Sequence, residues 1–397
     1  MTTADDRSYL GVFRVLFLGA AVLVSHRPVA IAQSSEDPGE VASPNDDAYV
    51  GLASRKYPEL ERQFAGYLDL YAAGKIPEDE VASRFAVFYR SYGLEARFDE
   101  WVGAFPKSYS ARLARGMYRV SDAWRMRGSN FAGQTTDNQF REFIESMKNA
   151  ASDLYVSIGM YSRPVESYRY LIQVSLGLGL RTGRGFLDEA LKLDPQAYYP
   201  RRAYLQSVTP KWGGSAQLME VFLEECARSP MSEKNKVRIE VELHSYLAQQ
   251  ASWDKECTSA TEHYRKAYQL ENDAKWLYWS ARSALDGGFT ELAFSQFDEL
   301  VRAHPKYEWG YTRRGLLYER NFKNDEKAFE DYLKAAELGN SWAQNRVGWW
   351  YMIGKYVPVD YDKAELFLNR AAAQNNKTAI ANLRNLGKLR KGAKGDK

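Results

Sequence analysis

Cysteine, histidine and long apolar runs are all scarce in this chain, and each scarcity removes a class of function. Only two cysteines occur in 397 residues, Cys226 and Cys257, and neither belongs to a C-x-x-C. A disulfide framework and a thiolate metal or redox centre are therefore unsupported, while a single bridge and two buried thiols both stay open. The four histidines, His26, His244, His263 and His304, show no H-E-x-x-H or other ligand spacing. No metal and no cofactor is expected. Phosphate-loop and nucleophile-elbow motifs are missing too, and Gly177-Leu178-Gly179 is followed three places on by Thr182, with no strand before it. Small residues that let helices approach explain that stretch better than a dinucleotide loop does. Nor is there an excess of one charge. The 54 basic and 51 acidic residues leave +3, too little field to gather nucleic acid or an anionic membrane.

What is present is apolar and aromatic, 45% and 14% of residues, enough to offset chain entropy in a folded protein of two or three domains. At the N-terminus a charged start ending at Arg14 precedes the ten-residue apolar run Val15 to Val24, a short polar stretch and Ala30-Ile31-Ala32. That is the order of a secretory signal, with cleavage expected after Ala32. The run is too short for a bilayer, which needs about 20 residues. The competing readings are an uncleaved anchor, or a misplaced start and a cytoplasmic protein. The expected layout is a signal peptide over 1–32, a flexible polar linker over 33–48, and a periplasmic or secreted mature chain with no stable membrane span.

From about Tyr49 the apolar residues recur three and four apart, as in Leu60, Phe64, Tyr67, Leu68 and Tyr71, and no alternating run of the strand type appears. Glycine and proline fall between the periodic segments. The fold class is all-α. Toward the C-terminus one pattern of small, bulky, then small or apolar residue returns at i, i+4 and i+7. It reads Ala260/Tyr264/Ala267, Ala293/Phe297/Leu300, Ala328/Tyr332/Ala335 and Ala364/Leu368/Ala371. Successive copies are about 33 to 36 residues apart, within the range of helical-hairpin repeats. The i, i+4, i+7 spacing puts all three side chains on one helix face. Gly315 and Tyr318 recur one period later as Gly348 and Tyr351, on a partner helix. Two helices per unit at this period predict an α-solenoid of stacked hairpins.

The residues then resemble known repeat families. Ala293, Phe297 and Pro305 match the second helix and closing proline of a tetratricopeptide repeat. Residues 341–373 resemble the Sel-like repeat through Ala343, Gln344, Gly348, Tyr351, Gly354, Val357, Asp360, Lys363, Ala364, Ala371 and Ala372, with Tyr356 where that family has a second glycine. The copy at 308–339 has a shorter loop. The resemblance implies a helical-repeat domain over 233–387, followed by a basic tail over 388–397. Residues 49–232 are less regular. Gly183, Leu187, Ala190 and Pro195 reproduce the second-helix pattern, and 108–118 resembles a first helix. Between Trp101 and Ser215 the chain is similar to an uncharacterised proteobacterial helical domain, through Trp101, Phe105-Pro106, Ser108-Tyr109, Arg115-Gly116, Tyr199 to Leu205 and Pro210 to Ser215. That resemblance implies no chemistry.

Acidic pairs such as Glu224-Glu225, Asp298-Glu299 and Glu240/Glu242 are candidates for general acid and base, and a solvated helix face accounts for them equally well. An envelope enzyme, for example one acting on glycan through a site in 50–232, is the alternative reading. Six of ten tryptophans lie between 276 and 350. Packing between hairpins explains most of them. Trp349 and Trp350, however, point about 100° apart on a helix, so one seam cannot bury both. Counting from Gly315 and Gly348, the expected inner-face positions are Trp309, Thr312, Leu316 and Glu319, then Trp342, Asn345, Trp349 and Met352. Trp309, Thr312, Trp342, Asn345 and Trp349 are therefore the expected contacts for an extended peptide or partner helix. The expected function is binding of a protein or peptide as an envelope adaptor, scaffold or regulator, with no enzymatic activity.

Overall fold

The computed structural model describes residues 46–128 and 135–395. The expected signal peptide lies outside the described residues, as does the linker up to residue 45. Among the described residues every regular element is helical, and the chain divides into two compact units, 1–243 and 244–397. Cys226 and Cys257 fall in different units and are free thiols.

The first unit holds α1 (Asp47–Ala53), α2 (Tyr57–Ala72), α3 (Glu78–Arg90), α4 (Glu95–Ala104), α5 (Tyr109–Arg127), α6 (Asp137–Ile158), α7 (Val165–Gly177), α8 (Gly183–Leu193), α9 (Tyr199–Ser207) and α10 (Ala216–Arg228). It also takes α11 (Glu233–Trp253) as far as Leu243. Helix α1 therefore begins inside the expected linker, and the unit boundary lies within α11 rather than at residue 233. Helix starts follow capping chemistry. Ser108 accepts from the amide of Ala111, and Thr136 forms a capping box with Gln139 at the head of α6. The core is an aromatic cluster in which Phe64 lies 4.7 Å from Phe85 and 4.8 Å from Phe88, with Trp101 5.4 Å from Phe88. The buried indole of Trp101 donates to Glu61 at 2.6 Å.

Helices α5 and α6 meet at a glycine and an ion-pair cluster. A Cβ at Gly116 would lie 2.9 Å from Leu154 Cγ, so glycine is what permits the approach. Beside it Arg112, Arg115 and Arg119, three and four apart on one face, converge on the buried Asp153. The carboxylate accepts from Arg112 at 3.1 Å, from Arg115 at 2.8 and 2.5 Å, and from Arg119 at 2.8 Å. Leu154 belongs to a buried triplet, Ala150/Leu154/Ser157, that precedes the buried Gly183/Leu187/Ala190 by one repeat period. The same burial pattern thus occurs twice in the first unit, one period apart.

The second unit continues α11 from His244 and holds α12 (Cys257–Glu271), α13 (Ala274–Asp286), α14 (Thr290–Ala303), α15 (Glu308–Arg320), α16 (Asp325–Glu337), α17 (Ser341–Ile353), α18 (Tyr361–Ala373) and α19 (Lys377–Gly395). Helix α19 runs on through the basic segment from 388. Asp273, Asn324, Asn340 and Asp360 cap the starts of α13, α16, α17 and α18 with their side chains. Every residue of the four small–bulky–small triplets is buried. Gly315 and Gly348 are the close-approach points of their hairpins: an added Cβ would lie 3.0 Å from Tyr332 and 2.8 Å from Leu368, respectively. The loop after α17 turns through Gly354 at φ +73° and Tyr356 at φ +65°. The backbone keeps the left-handed turn even where tyrosine replaces glycine, at a cost of roughly 1–2 kcal/mol. Packing of the Tyr356 ring 5.8 Å from Phe329 works against that strain.

Candidate functional site

The first helices of successive hairpins, α13, α15 and α17, carry the tryptophans. Trp276, Trp309 and Trp342 are spaced by one repeat period each, every one in the first turn of its helix. They do not have the same environment. Trp276 stacks 6.4 Å from Tyr264 and donates to Glu271 at 2.6 Å, and Trp342 sits edge-on, 5.4 Å from Tyr332. Both rings close a seam against the bulky residue of the preceding helix, which half-buries them. Among the rings of the described residues Trp309 meets only Tyr278, at 6.5 Å, and it is 37% exposed.

One turn further along lies the column Trp279, Thr312, Asn345. Trp279 is 46% exposed, although sequence reasoning did not single it out as a contact. It occupies the position of Thr312 in the preceding repeat, so the spacing alone points to it. Thr312 itself is a correction. It is 3% exposed and its hydroxyl donates to the Glu308 carbonyl of its own helix at 2.9 Å, because a side chain this short cannot stand clear of its larger neighbours. It offers a partner nothing. Met352 is likewise buried. Asn345 is half-buried and accepts from the Asn382 amide at 2.9 Å.

Trp349 and Trp350 separate as helical geometry requires. Trp350 is fully buried and stacks 5.8 Å from Phe329, whereas Trp349 is half-open with the Arg346 guanidinium 4.9 Å from its ring centre. Arg346 is in turn held by Glu319, which also accepts from Lys355 at 2.7 Å and Tyr332 at 2.8 Å. Burial opposes the charge on Glu319, but these bonds outweigh it and hold the carboxyl below its ordinary range. The half-open Trp349 ring thus stands beside a fixed polar frame.

Five of the six acids in the acidic pairs are engaged in ion pairs. Glu225 binds Arg184 at 2.7 Å and Glu224 binds Arg228 at 2.8 Å; Glu299 binds Arg265 at 2.7 Å and Glu242 binds Arg202 at 2.8 Å. Asp298 receives Arg314 at 2.7 Å. His244 and His263 face each other with their Nδ1 atoms 3.1 Å apart. Among the described residues no group of three or more histidine, cysteine or carboxylate side chains is arranged to hold a metal ion, and no helix is long and apolar enough to cross a membrane.

Architecture and residues together define an all-α solenoid of helical hairpins. Residues 313–340 and 343–376 match the Sel1 repeat, so they cover α15 from Arg313 onward and the helices to α18. Repeats of this kind typically serve as non-enzymatic scaffolds for protein–protein interaction. Similar solved structures include a Sel1 repeat protein from Oxalobacter formigenes, at 16% identity over 92% of this chain and 99% of that one, with a TM-score of 0.38. Another is c5321, a protective antigen of uropathogenic Escherichia coli displaying an SLR fold, at 15% identity over 81% and 80%, with a TM-score of 0.32. A third is YrrB, a TPR protein with an unusual peptide-binding site, at 20% identity over 50% and 91%, with a TM-score of 0.28. With TM-scores below 0.5 these likenesses carry no functional argument. No curated protein matches the chain.

Proposed function

We propose that this is an exported bacterial envelope protein whose C-terminal repeats bind a protein or peptide, acting as adaptor, scaffold or regulator rather than as an enzyme. The supporting observation is the set of rings left open on successive first helices, Trp279, Trp309 and Trp349. Large aromatic side chains exposed on a rigid frame are the usual anchors of protein interfaces. The proposal of export rests on the order of charged, apolar and small residues before Ala32.

A photo-crosslinking residue in place of Trp349 or Trp309, compared with one at the exposed Glu330 on α16, tests the binding surface in cells. A discrete partner captured from the first two positions and not the third is the expected result. Equal capture from all three, or none from a folded protein, would remove the reading. Fusing residues 1–40 to a reporter active only after translocation tests export separately, and a silent reporter makes the protein cytoplasmic.

A further inference from the structure

The first unit contains a pocket of about 400 Å³ walled by α3, α7, α9 and the first half of α11. Its volume is within the range of small-ligand sites, roughly 300–1,000 Å³. Helix α3 makes the room by presenting Ala82, Ser83 and Ala86 along one face, followed by Tyr89 and Arg90 at the end of the same face. Opposite stand Arg169, Arg202 and Arg238 among Tyr170, Tyr198 and Tyr199. Glu242 is the one acid in the lining, and it is paired with Arg202.

Four guanidinium groups from four helices therefore converge on one cavity, and three are individually neutralised. Arg169 pairs with Glu166 at 3.0 Å, Arg202 with Glu242 at 2.8 Å and Arg238 with Asp79 at 3.0 Å. Tyrosine faces hold two of them as well: Arg238 lies 3.7 Å from the Tyr198 ring centre and Arg169 4.5 Å from that of Tyr199. Arg90 is different. No carboxylate, carbonyl or ring among the described residues engages it, and its Nε–H is buried without an acceptor. An orphaned buried donor of this kind costs about 1–3 kcal/mol, and its charge is the one of the four that no carboxylate among the described residues offsets.

We propose that this pocket binds a small monocarboxylic acid with an aromatic or apolar body, and that Arg90 receives its carboxylate. One unpaired guanidinium balances one negative charge, and its planar fork matches a carboxylate; a phosphate dianion would leave a charge uncompensated. The tyrosines and Ala82 and Ala86 accept the body. The carboxylate could belong to a free acid or to the last residue of a peptide chain. This site is independent of the tryptophan surface of the second unit.

Calorimetric titration of the full chain with benzoate, 4-phenylbutyrate and N-acetyl-L-phenylalanine, and with a blocked pentapeptide ending in free phenylalanine, tests the proposal. The corresponding amides are the controls. At least one acid is expected to bind while its amide binds roughly 10-fold more weakly or worse. Arg90→Gln should weaken binding roughly 10- to 100-fold, with the melting temperature not lowered, because Arg90 makes no bond to lose. Arg90→Lys should retain part of the affinity, and Trp349→Ala should retain all of it. Tighter binding of a small acid identifies a free acid as the ligand, and tighter binding of the pentapeptide identifies a chain terminus. Equal affinity for acids and amides, no binding by any acid at millimolar concentration, or an Arg90→Gln variant that binds like the parent would overturn the proposal.

Discussion

In the second unit α15 to α18 are each 13 residues long, and their hairpins follow one another at a nearly constant period. In the first unit α1 has 7 residues, α9 has 9, and the paired α5 and α6 have 19 and 22. Both units nevertheless close their hairpins with the same device, a glycine pressed on a leucine: Gly116 on Leu154, Gly348 on Leu368. What differs is the filling around that contact. The first unit surrounds it with arginines gathered on the buried Asp153 and the more exposed Asp99, the second with indole and phenol rings. Uniform helix length goes with nearest-neighbour stacking, in which each hairpin repeats the last one's solution. Unequal lengths require contacts specific to each pair, and polar networks supply specific contacts.

The sharpest way to break that comparison is to remove a buried carboxylate from each unit. Asp153→Ala takes the buried carboxylate from three arginines, of which Arg115 and Arg119 keep only the more exposed Asp99, and should destabilise the first unit by about 3–5 kcal/mol. Asp331→Ala releases only Arg314, which it binds at 2.9 and 2.7 Å, and should cost about 2 kcal/mol. Chemical denaturation measures both, and equal losses would mean the first unit does not depend on its charges as described.

Next in size are the glycines. Gly348→Ala should cost about 1–3 kcal/mol, because the added carbon meets Leu368 and also the Ala364 carbonyl at 3.1 Å, which cannot rotate aside. Gly116→Ala should cost less, since it meets the end of the Leu154 side chain and no backbone atom nearer than 3.6 Å. A thermal melt in which Gly116→Ala is the worse variant would reverse this ranking.

The smallest effect is pH-dependent and confined to the second unit. Burial first, then the charges of His263 and Lys266, push His244 down to about 4. An unfolded histidine titrates near pH ~6.5. As pH falls from that value toward 4 the unfolded chain takes up a proton that the folded one refuses, so stability is lost across that window. The loss should be on the order of 1–2 kcal/mol after solvent screening. Protection of α12 amides from hydrogen exchange, taken relative to the intrinsic rate at each pH, should fall at mildly acidic pH, and His244→Asn should abolish the difference.

Much of the second unit could be read from residue spacing. The four triplets are all buried, because an i, i+4, i+7 column of small and bulky residues has one physical use on a packed helix. The triplet Ala150/Leu154/Ser157 lies one period before a recognisable one yet escapes notice, since a serine at its end and Asp153 in its midst give it a polar look. Thr312 is misjudged because a repeat period fixes which positions are equivalent, whereas exposure at a position depends also on side-chain length; Trp279 and Thr312 share a column and differ in reach. The Arg90 pocket is beyond sequence reasoning. Its walls come from residues 82 to 242, and no local pattern reports that four arginines so far apart in the chain share a cavity, or that only three have carboxylates.

Trp349 and Trp350 are consecutive in the chain yet occupy different media, one beside water and the other sealed against Phe329. Fluorine labelling of the tryptophans would turn that adjacency into a built-in reference. The Trp349 resonance should respond to solvent isotope and to anything docking on α17, while the Trp350 resonance should hold still unless the repeat itself opens. A single spectrum then separates occupation of the surface from loss of the fold beneath it.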